Sequence, residues 1–208
     1  MRVIAGRLGG RILRAPRGAI TRPTAALVRE ALFALLGDIS GARVLDLFAG
    51  SGALGIEALS REAAEVLFVE RDRRASGVLM GNLRALGLTP PQARVFRGEA
   101  LAALRSARRQ REKYDLILID PPYAQGRRWE PQLRELLPDV LSARGRVAIE
   151  SDRRQALELA LPLAIERRYG QTLVRIYEAG TEMAAAEVKE TGAEQREPTE
   201  RFQGHGAP

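Results

Sequence analysis

Asp46-Leu47-Phe48-Ala49-Gly50-Ser51-Gly52-Ala53-Leu54-Gly55 is the stretch that decides the fold. It joins an apolar run at residues 43–48 to a helical pattern that begins at Ala53, and it holds G-x-G-x-x-G at positions 50, 52 and 55. Glu70 stands twenty residues beyond Gly50, at the end of the next apolar run. Glycines after a strand let backbone approach a ligand closely, and a carboxylate at the second strand's tip can accept hydrogen bonds from both ribose hydroxyls. The glycine spacing alone is a weak signal. Strand, loop, helix and acid in register point to an adenosine-bearing cofactor.

Outward from this loop, short apolar runs alternate with helical segments, the pattern of a parallel sheet wrapped by helices. Strands are predicted at residues 43–48, 65–70, 93–97, 115–120 and 146–150, and helices at 53–60, 73–86, 100–110, 130–141 and 153–160. Runs at 165–169 and 172–178 are separated only by Gly170-Gln171, which demands an antiparallel hairpin. The expectation is an α/β, Rossmann-like, mostly parallel seven-stranded sheet that ends in that hairpin. Upstream, residues 2–14 read as two short strands around the glycines at 6, 9 and 10, followed by a helix at 24–36. Three parts are expected: a hairpin and helix over 1–40, the main domain over 41–179, and a disordered acidic tail over 180–208.

The chain has 208 residues, no cysteine, one histidine and a formal charge of +7. A disulfide scaffold, thiolate metal sites, a cysteine nucleophile and histidine-based metal or triad chemistry are thereby set aside, and no metal is expected. No apolar run approaches the roughly 18 residues of a membrane span, and no secretory leader is evident, so the expectation is a cytoplasmic protein without a membrane partner. Arginine supplies 31 of the 33 basic residues. Residues 1–30 carry seven of them against Glu30 alone, while the segment from Ala179 onward carries six glutamates against three basic residues. A basic body with an acidic tail is built to meet a polyanion, and Arg7, Arg11, Arg14, Arg22 and Arg29 are the candidate RNA contacts.

Asp46 narrows the cofactor. A pyrophosphate crossing the loop would face that carboxylate as a like charge, and no Lys-Ser/Thr follows the glycines to serve a nucleoside triphosphate. An ammonium would welcome the acid, so S-adenosylmethionine fits, with its ribose on Glu70 and its amino acid near Asp46 and Gly50. Glu99, after the third strand, could take the adenine amine. The candidate cofactor set is Asp46, Phe48, Ala49, Gly50, Ser51, Gly52, Glu70, Arg71, Glu99 and Ala100. The plainer alternatives are a turn or helix cap for Asp46, a solvated strand end for Glu70 and a helix-opening acid for Glu99.

After the fourth strand come Asp120-Pro121-Pro122-Tyr123, the candidate catalytic residues. The prolines stiffen the loop and remove two donors, leaving carbonyl acceptors. An acid, carbonyls and an aromatic form a receptor for a planar group with an exocyclic amine: Asp120 and the Pro121 carbonyl hold the amine hydrogens and Tyr123 stacks on the ring. Such an amine can be methylated by in-line displacement at a sulfonium.

Asp-x-Phe-Ala-Gly-x-Gly with Asp-Pro-Pro-Tyr resembles the class I methyltransferases that act on exocyclic amines. Arg2-Val3-Ile4-Ala5-Gly6, Thr21-Arg22-Pro23-Thr24, Val28-Arg29-Glu30, Leu59-Ser60-Arg61 and Arg168-Tyr169-Gly170-Gln171-Thr172 narrow the resemblance to the RsmD family of bacterial 16S ribosomal RNA guanine-N2 methyltransferases. The likeness runs from Arg2 to about Tyr177. It implies methylation of one guanine N2 in 16S rRNA or the small ribosomal subunit, by a protein expected to be a monomer. The chain departs from the family at Ala25, Ala26 and Leu27, where polar and charged residues usually stand. Two other readings remain open: an amino-methyltransferase acting on adenine in DNA or RNA, and an inactive RNA-binding relative.

Overall fold

The apolar runs that break the helical rhythm become the seven strands of a single sheet. The computed structural model describes residues 1–15, 23–122 and 126–180. Arg22, Tyr123 and the tail from residue 181 lie outside the described residues. In chain order the elements are α1 (Pro23–Leu36), β1 (Arg43–Asp46), α2 (Ala53–Ser60), β2 (Glu65–Glu70), α3 (Arg73–Ala85), β3 (Ala93–Arg97), α4 (Ala100–Arg109), β4 (Tyr114–Ile119), α5 (Glu130–Val140), β5 (Leu141–Asp152), β6 (Leu163–Tyr169) and β7 (Thr172–Glu178).

The sheet runs β3-β2-β1-β4-β5-β7-β6. Strands β1 to β5 are parallel, and β7 joins β5 and β6 in antiparallel pairs. Successive strand residues face opposite sides. Val44, Phe68, Leu116 and Leu118 therefore pack with Leu32, Phe33, Ile56, Leu59 and Leu79 from α1, α2 and α3. Leu45, Ile117, Ile119, Val147 and Ile149 pack with Leu104, Leu133, Leu136 and Leu137 from α4 and α5. The direction of winding reverses between β1 and β4. In open α/β sheets the carboxyl ends of the strands flanking such a reversal form the ligand crevice, so the glycine loop and Asp120 stand on its two rims.

Three expectations need correction. Residues 2–14 form no pair of strands; the ladder is an isolated bridge between Arg2 and Ile12, with hydrogen bonds from Val3 N to Arg11 O (2.9 Å) and Leu13 N to Met1 O (2.9 Å). The N–H groups of Ile4 and Ala5 go instead to the Glu57 carboxylate, at 2.7 and 3.0 Å, and that diversion ends the pairing. The helix expected at 153–160 is one 3-10 turn, Arg153–Gln155, followed by extended chain. Leu157 and Leu159 are both buried there, a period-two pattern. Finally β5 begins at Leu141 rather than 146 and extends to Asp152, because its first residue pairs with Tyr114 and its last with Thr172 of β7.

Residues 1–40 do not pack as a separate unit. Val3, Leu8, Leu13, Val28, Leu32 and Phe33 share a hydrophobic cluster with Val44, Ile56 and Phe68. Among the described residues no helix is long and apolar enough to cross a membrane.

Candidate active site

At the tip of β1 the chain turns sharply, and Gly52 takes up the left-handed conformation (φ 88°) with its N–H on Ala49 O at 2.7 Å. A side chain at Gly52 would run into Leu79 of α3, and one at Gly55 into Phe68 of β2, so Gly52 lets α3 close on the loop and Gly55 seats α2 against the sheet. Asp46 is buried beneath this turn. Its Oδ2 accepts the Gly55 N–H at 3.0 Å, whereas Oδ1 is buried without a hydrogen-bond partner. Burial pushes its pKa up to about 7, opposed by the backbone N–H groups of Gly55 and Phe48 and reinforced by the charge of Glu70.

Glu70 buttresses the loop: Oε2 accepts from Gly50 N at 2.7 Å and Oε1 from Asp72 N at 2.7 Å. Each carboxylate oxygen has a second lone pair, which leaves capacity for ribose hydroxyls. Glu99 precedes α4 but its side chain makes no capping bond. It lies exposed and pairs with Arg71 at 3.3 Å. Across the crevice Asp120 sits at the tip of β4, where burial, then Glu150, then Asp46 hold its carboxyl well above the ordinary range.

A cavity of about 640 Å³ joins these groups. Asp46, Phe48, Ala49, Gly50, Ser51, Glu70, Arg71, Glu99, Ala100, Asp120, Pro121 and Pro122 all line it, while Gly52 stays behind the loop. The volume lies within the roughly 300–1,000 Å³ that small-molecule sites span. Sequence reasoning missed Met1, Trp129, Glu150 and Thr172 on the same wall. Trp129 packs on Phe48 with ring centroids 5.0 Å apart and closes the cavity's side. A lone tryptophan in a helical stretch gives no sign of this, because its partner lies eighty-one residues earlier.

The basic residues divide. Arg7, Arg11 and Arg14 are exposed, with the Arg7 backbone N–H on Ser60 O (2.8 Å) and its Nε on Leu59 O (3.3 Å). Arg29, expected among the outward RNA contacts, is only 5% exposed. It donates to Arg2 O at 2.6 Å, lies 3.8 Å from Glu57 and lines the cavity, so it is an interior cation. Its neighbours Val28, Leu32 and Phe33 are core residues of the same helix, and their burial takes Arg29 inward with them.

The donor set suits S-adenosylmethionine. A buried carboxylate oxygen with no partner accepts an ammonium, a second carboxylate at the next strand tip accepts a diol, and apolar Phe48 and Ala100 flank the space between. Among the described residues no group of three or more His, Cys, Asp or Glu stands together to hold a metal ion.

This sheet order, with the glycine loop and the Asp-Pro-Pro turn on either side of the reversal, defines a Rossmann-like methyltransferase. The solved structure of yhhF, a candidate methyltransferase of Escherichia coli, superposes with a TM-score of 0.72 at 36% identity, over 86% of this chain and 97% of that one. The family described as conserved hypothetical protein 95 matches residues 1–178. The chain belongs to this family, the RsmD family. Its relatives include YlbH of Bacillus subtilis, named as a candidate rRNA methyltransferase, 41% identical over 85% of this chain and 98% of that protein. Ribosomal RNA small subunit methyltransferase D of Escherichia coli is 41% identical over 61% of this chain and 62% of its own length.

Proposed function

We propose that this methyltransferase transfers the methyl group of S-adenosylmethionine to the exocyclic N2 of a guanine in 16S ribosomal RNA. One observation carries the reading: Asp120 and the Pro121-Pro122 turn line the same cavity as Asp46, so an amine acceptor and an ammonium holder share one space. The names of the relatives supply the RNA.

Asp46 would hold the donor's ammonium, Glu70 its ribose and Glu99 its adenine amine. The donor brings an electrophilic methyl on a sulfonium, so no protein nucleophile or metal is required. The chain's task is to place a weakly nucleophilic nitrogen in line with that methyl. Asp120 and the Pro121 carbonyl accept the two amine hydrogens and orient the lone pair. Tyr123 stacks on the base. As the nitrogen becomes cationic a proton leaves it for the Asp120 carboxylate, which enters the step ionised and afterwards releases that proton to solvent; burial beside Glu150 and Asp46 makes this carboxylate a stronger proton acceptor than an exposed one. Arg7, Arg11, Arg14 and Arg22 grip the phosphates from residues 1–40, residues 41–179 perform the transfer, and the tail from residue 180 is dispensable. The protein acts in the cytoplasm as a monomer.

Incubation with labelled S-adenosylmethionine and unmodified 16S rRNA or small subunits, followed by nucleoside analysis, is expected to give N2-methylguanosine. N6-methyladenosine would overturn the assignment. Asp120→Ala is expected to lower methyl transfer by about a hundredfold or more, while calorimetry shows S-adenosylmethionine bound nearly as in wild type. Equal loss of both would place Asp120 in the cofactor site.

A further inference from the structure

Strand β5 ends at the same edge of the sheet as Asp120 and runs directly into the 3-10 turn Arg153–Gln155. The turn is tied to the last hairpin, for Asp152 pairs with Thr172 and Arg153 N donates to Gln171 O at 2.9 Å. Thr172 lines the cavity, so this corner is a rim of the crevice. Strand β7 lies two places from β4 in the sheet, roughly 10 Å along the edge. Residues 153–175 carry five arginines against Glu158 and Glu166 alone. Both acids go to the largely buried Arg175, at 3.5 and 2.9 Å, and the exposed Arg168 reaches Glu166 only at 3.5 Å. Asp152 caps the turn, its Oδ1 accepting Arg154 N–H at 2.7 Å. The side chains of Arg153 and Arg154 are exposed, and among the described residues neither is in ion-pair contact with a carboxylate. An exposed guanidinium so placed keeps its charge and its fork of donors for an external anion.

We infer that Arg153, Arg154 and Arg168 form a second phosphate-binding surface for the RNA, so that the strand is gripped on both sides of the base presented to Asp120. This rests on the rRNA reading above. Arg14 is bonded to Asn82, and Asn82 to Ser51 of the glycine loop after β1. Along the edge the order is then β1 with Arg14, β4 with Asp120, and β5 and β7 with the second set of arginines, which puts Asp120 between two basic surfaces. A base that enters a buried crevice has to leave the stack of its neighbours. Phosphate contacts on one side would let the strand swing, whereas contacts on both fix its register and orientation. The hairpin motif divides accordingly: Tyr169 packs on the core, Gly170 (φ 60°) makes the turn, Thr172 lines the cavity, and Arg168 is left to the solvent.

The test uses the intact protein and unmodified 16S rRNA. Wild type is first scored for methyl transfer to this RNA from labelled S-adenosylmethionine. Its RNA affinity is then measured across salt concentrations beside two triple variants, Arg153→Ala/Arg154→Ala/Arg168→Ala and the same three positions changed to Lys. The bonds that hold the turn run through backbone N–H groups, which all three proteins keep. In the alanine variant the slope of log affinity against log salt is expected to fall by about 2, at about 0.7 per phosphate, and in the lysine variant to match wild type, because counter-ion release counts charges. S-adenosylmethionine affinity is expected to stay within about twofold in both. Equal slopes in wild type and the alanine variant, a lowered slope that lysine does not restore, or a parallel loss of cofactor affinity each overturn the inference. Ultraviolet crosslinking of wild type to the RNA reads the same surface without a variant. Crosslinked peptides are expected from residues 152–172 as well as from 1–30, and crosslinks confined to the arm overturn the inference even where a variant fails to fold. If wild type methylates no nucleoside of 16S rRNA, the rRNA reading falls and the second surface with it; methylation with equal slopes removes the second surface alone.

Discussion

At the scale of single residues, Asp46 shows how one side chain serves both fold and chemistry. Its Oδ2 fixes the start of α2 through Gly55 while Oδ1 is buried beneath the loop. Such a group is costly until an ammonium arrives. Its pKa is raised from 3.8 to about 7, so between those values the folded protein keeps a proton that the unfolded chain has released. The stability this contributes is full below about pH 4 and is lost as pH rises through 7, by up to about 1.4 kcal/mol per unit. Ligand-free wild type should therefore lose unfolding free energy over pH 4–7 relative to Asp46→Asn, measured by urea titration at each pH; parallel curves would show that Asp46 does not titrate there. S-adenosylmethionine should bind more tightly as pH passes 7, and Asp46→Asn should weaken it by about tenfold and flatten that rise, consistent with losing one charge-assisted hydrogen bond. The sequence disclosed Asp46 as an acid beside a glycine loop. It could not disclose that one oxygen was already taken, because that depends on how closely the turn brings Gly55 back over the strand.

At the scale of elements, most helices and strands that follow the glycine loop were legible because each carries its own period, and their observed ends fall within one or two residues of the pattern; the exceptions are β5, which starts five residues earlier, and residues 153–160, where no α-helix forms. The N-terminal arm was not. Its conformation is dictated by α2, fifty residues away in sequence. Glu57, fully buried, accepts from Ile4 N and Ala5 N and pairs with Arg61 at 2.9 Å, and Ser60 Oγ donates to Ala5 O and accepts from Leu8 N. In the sequence Glu57 is the one acid in an otherwise apolar helix, and nothing there names the backbone donors of the arm as its partners. Two changes should expose this clamp. Glu57→Ala strands Arg29 and two backbone donors, and should cost about 3–5 kcal/mol, the usual penalty for breaking a buried ion pair from one side. Gly6→Ala should cost at least about 2 kcal/mol, because Gly6 has φ 79° and a methyl there would collide with the Ser60 carbonyl. Chemical denaturation of both variants checks these figures, and changes below about 0.5 kcal/mol, the scale of a surface substitution, would show that the arm is not clamped.

At the scale of the whole molecule, the arm ties the basic surface to the cavity. Asn82 of α3 accepts from Arg14 N at 2.9 Å and donates to both Arg14 O (3.0 Å) and Ser51 O (2.9 Å), so one buried amide holds the arm and the glycine loop together. The side chains of Arg7, Arg11 and Arg14 remain at the surface. Asn82 thereby sets Arg14 beside the glycine loop at the sheet's carboxyl edge, where a polyanion presenting one base to Asp120 would run, while Arg7 sits on Leu59 and Ser60 at the other end of α2. Replacing Arg7, Arg11 and Arg14 together by alanine removes three charges without touching the backbone bonds to Ser60 and Asn82. The slope of log affinity against log salt for 16S rRNA should fall by about 2, at about 0.7 per phosphate neutralised on single strands. S-adenosylmethionine affinity should stay within about twofold, because exposed charges outside the cavity bear little on a ligand within it. A salt slope equal to wild type would place the RNA elsewhere. A parallel loss of cofactor affinity would show instead that these side chains brace the glycine loop through the arm.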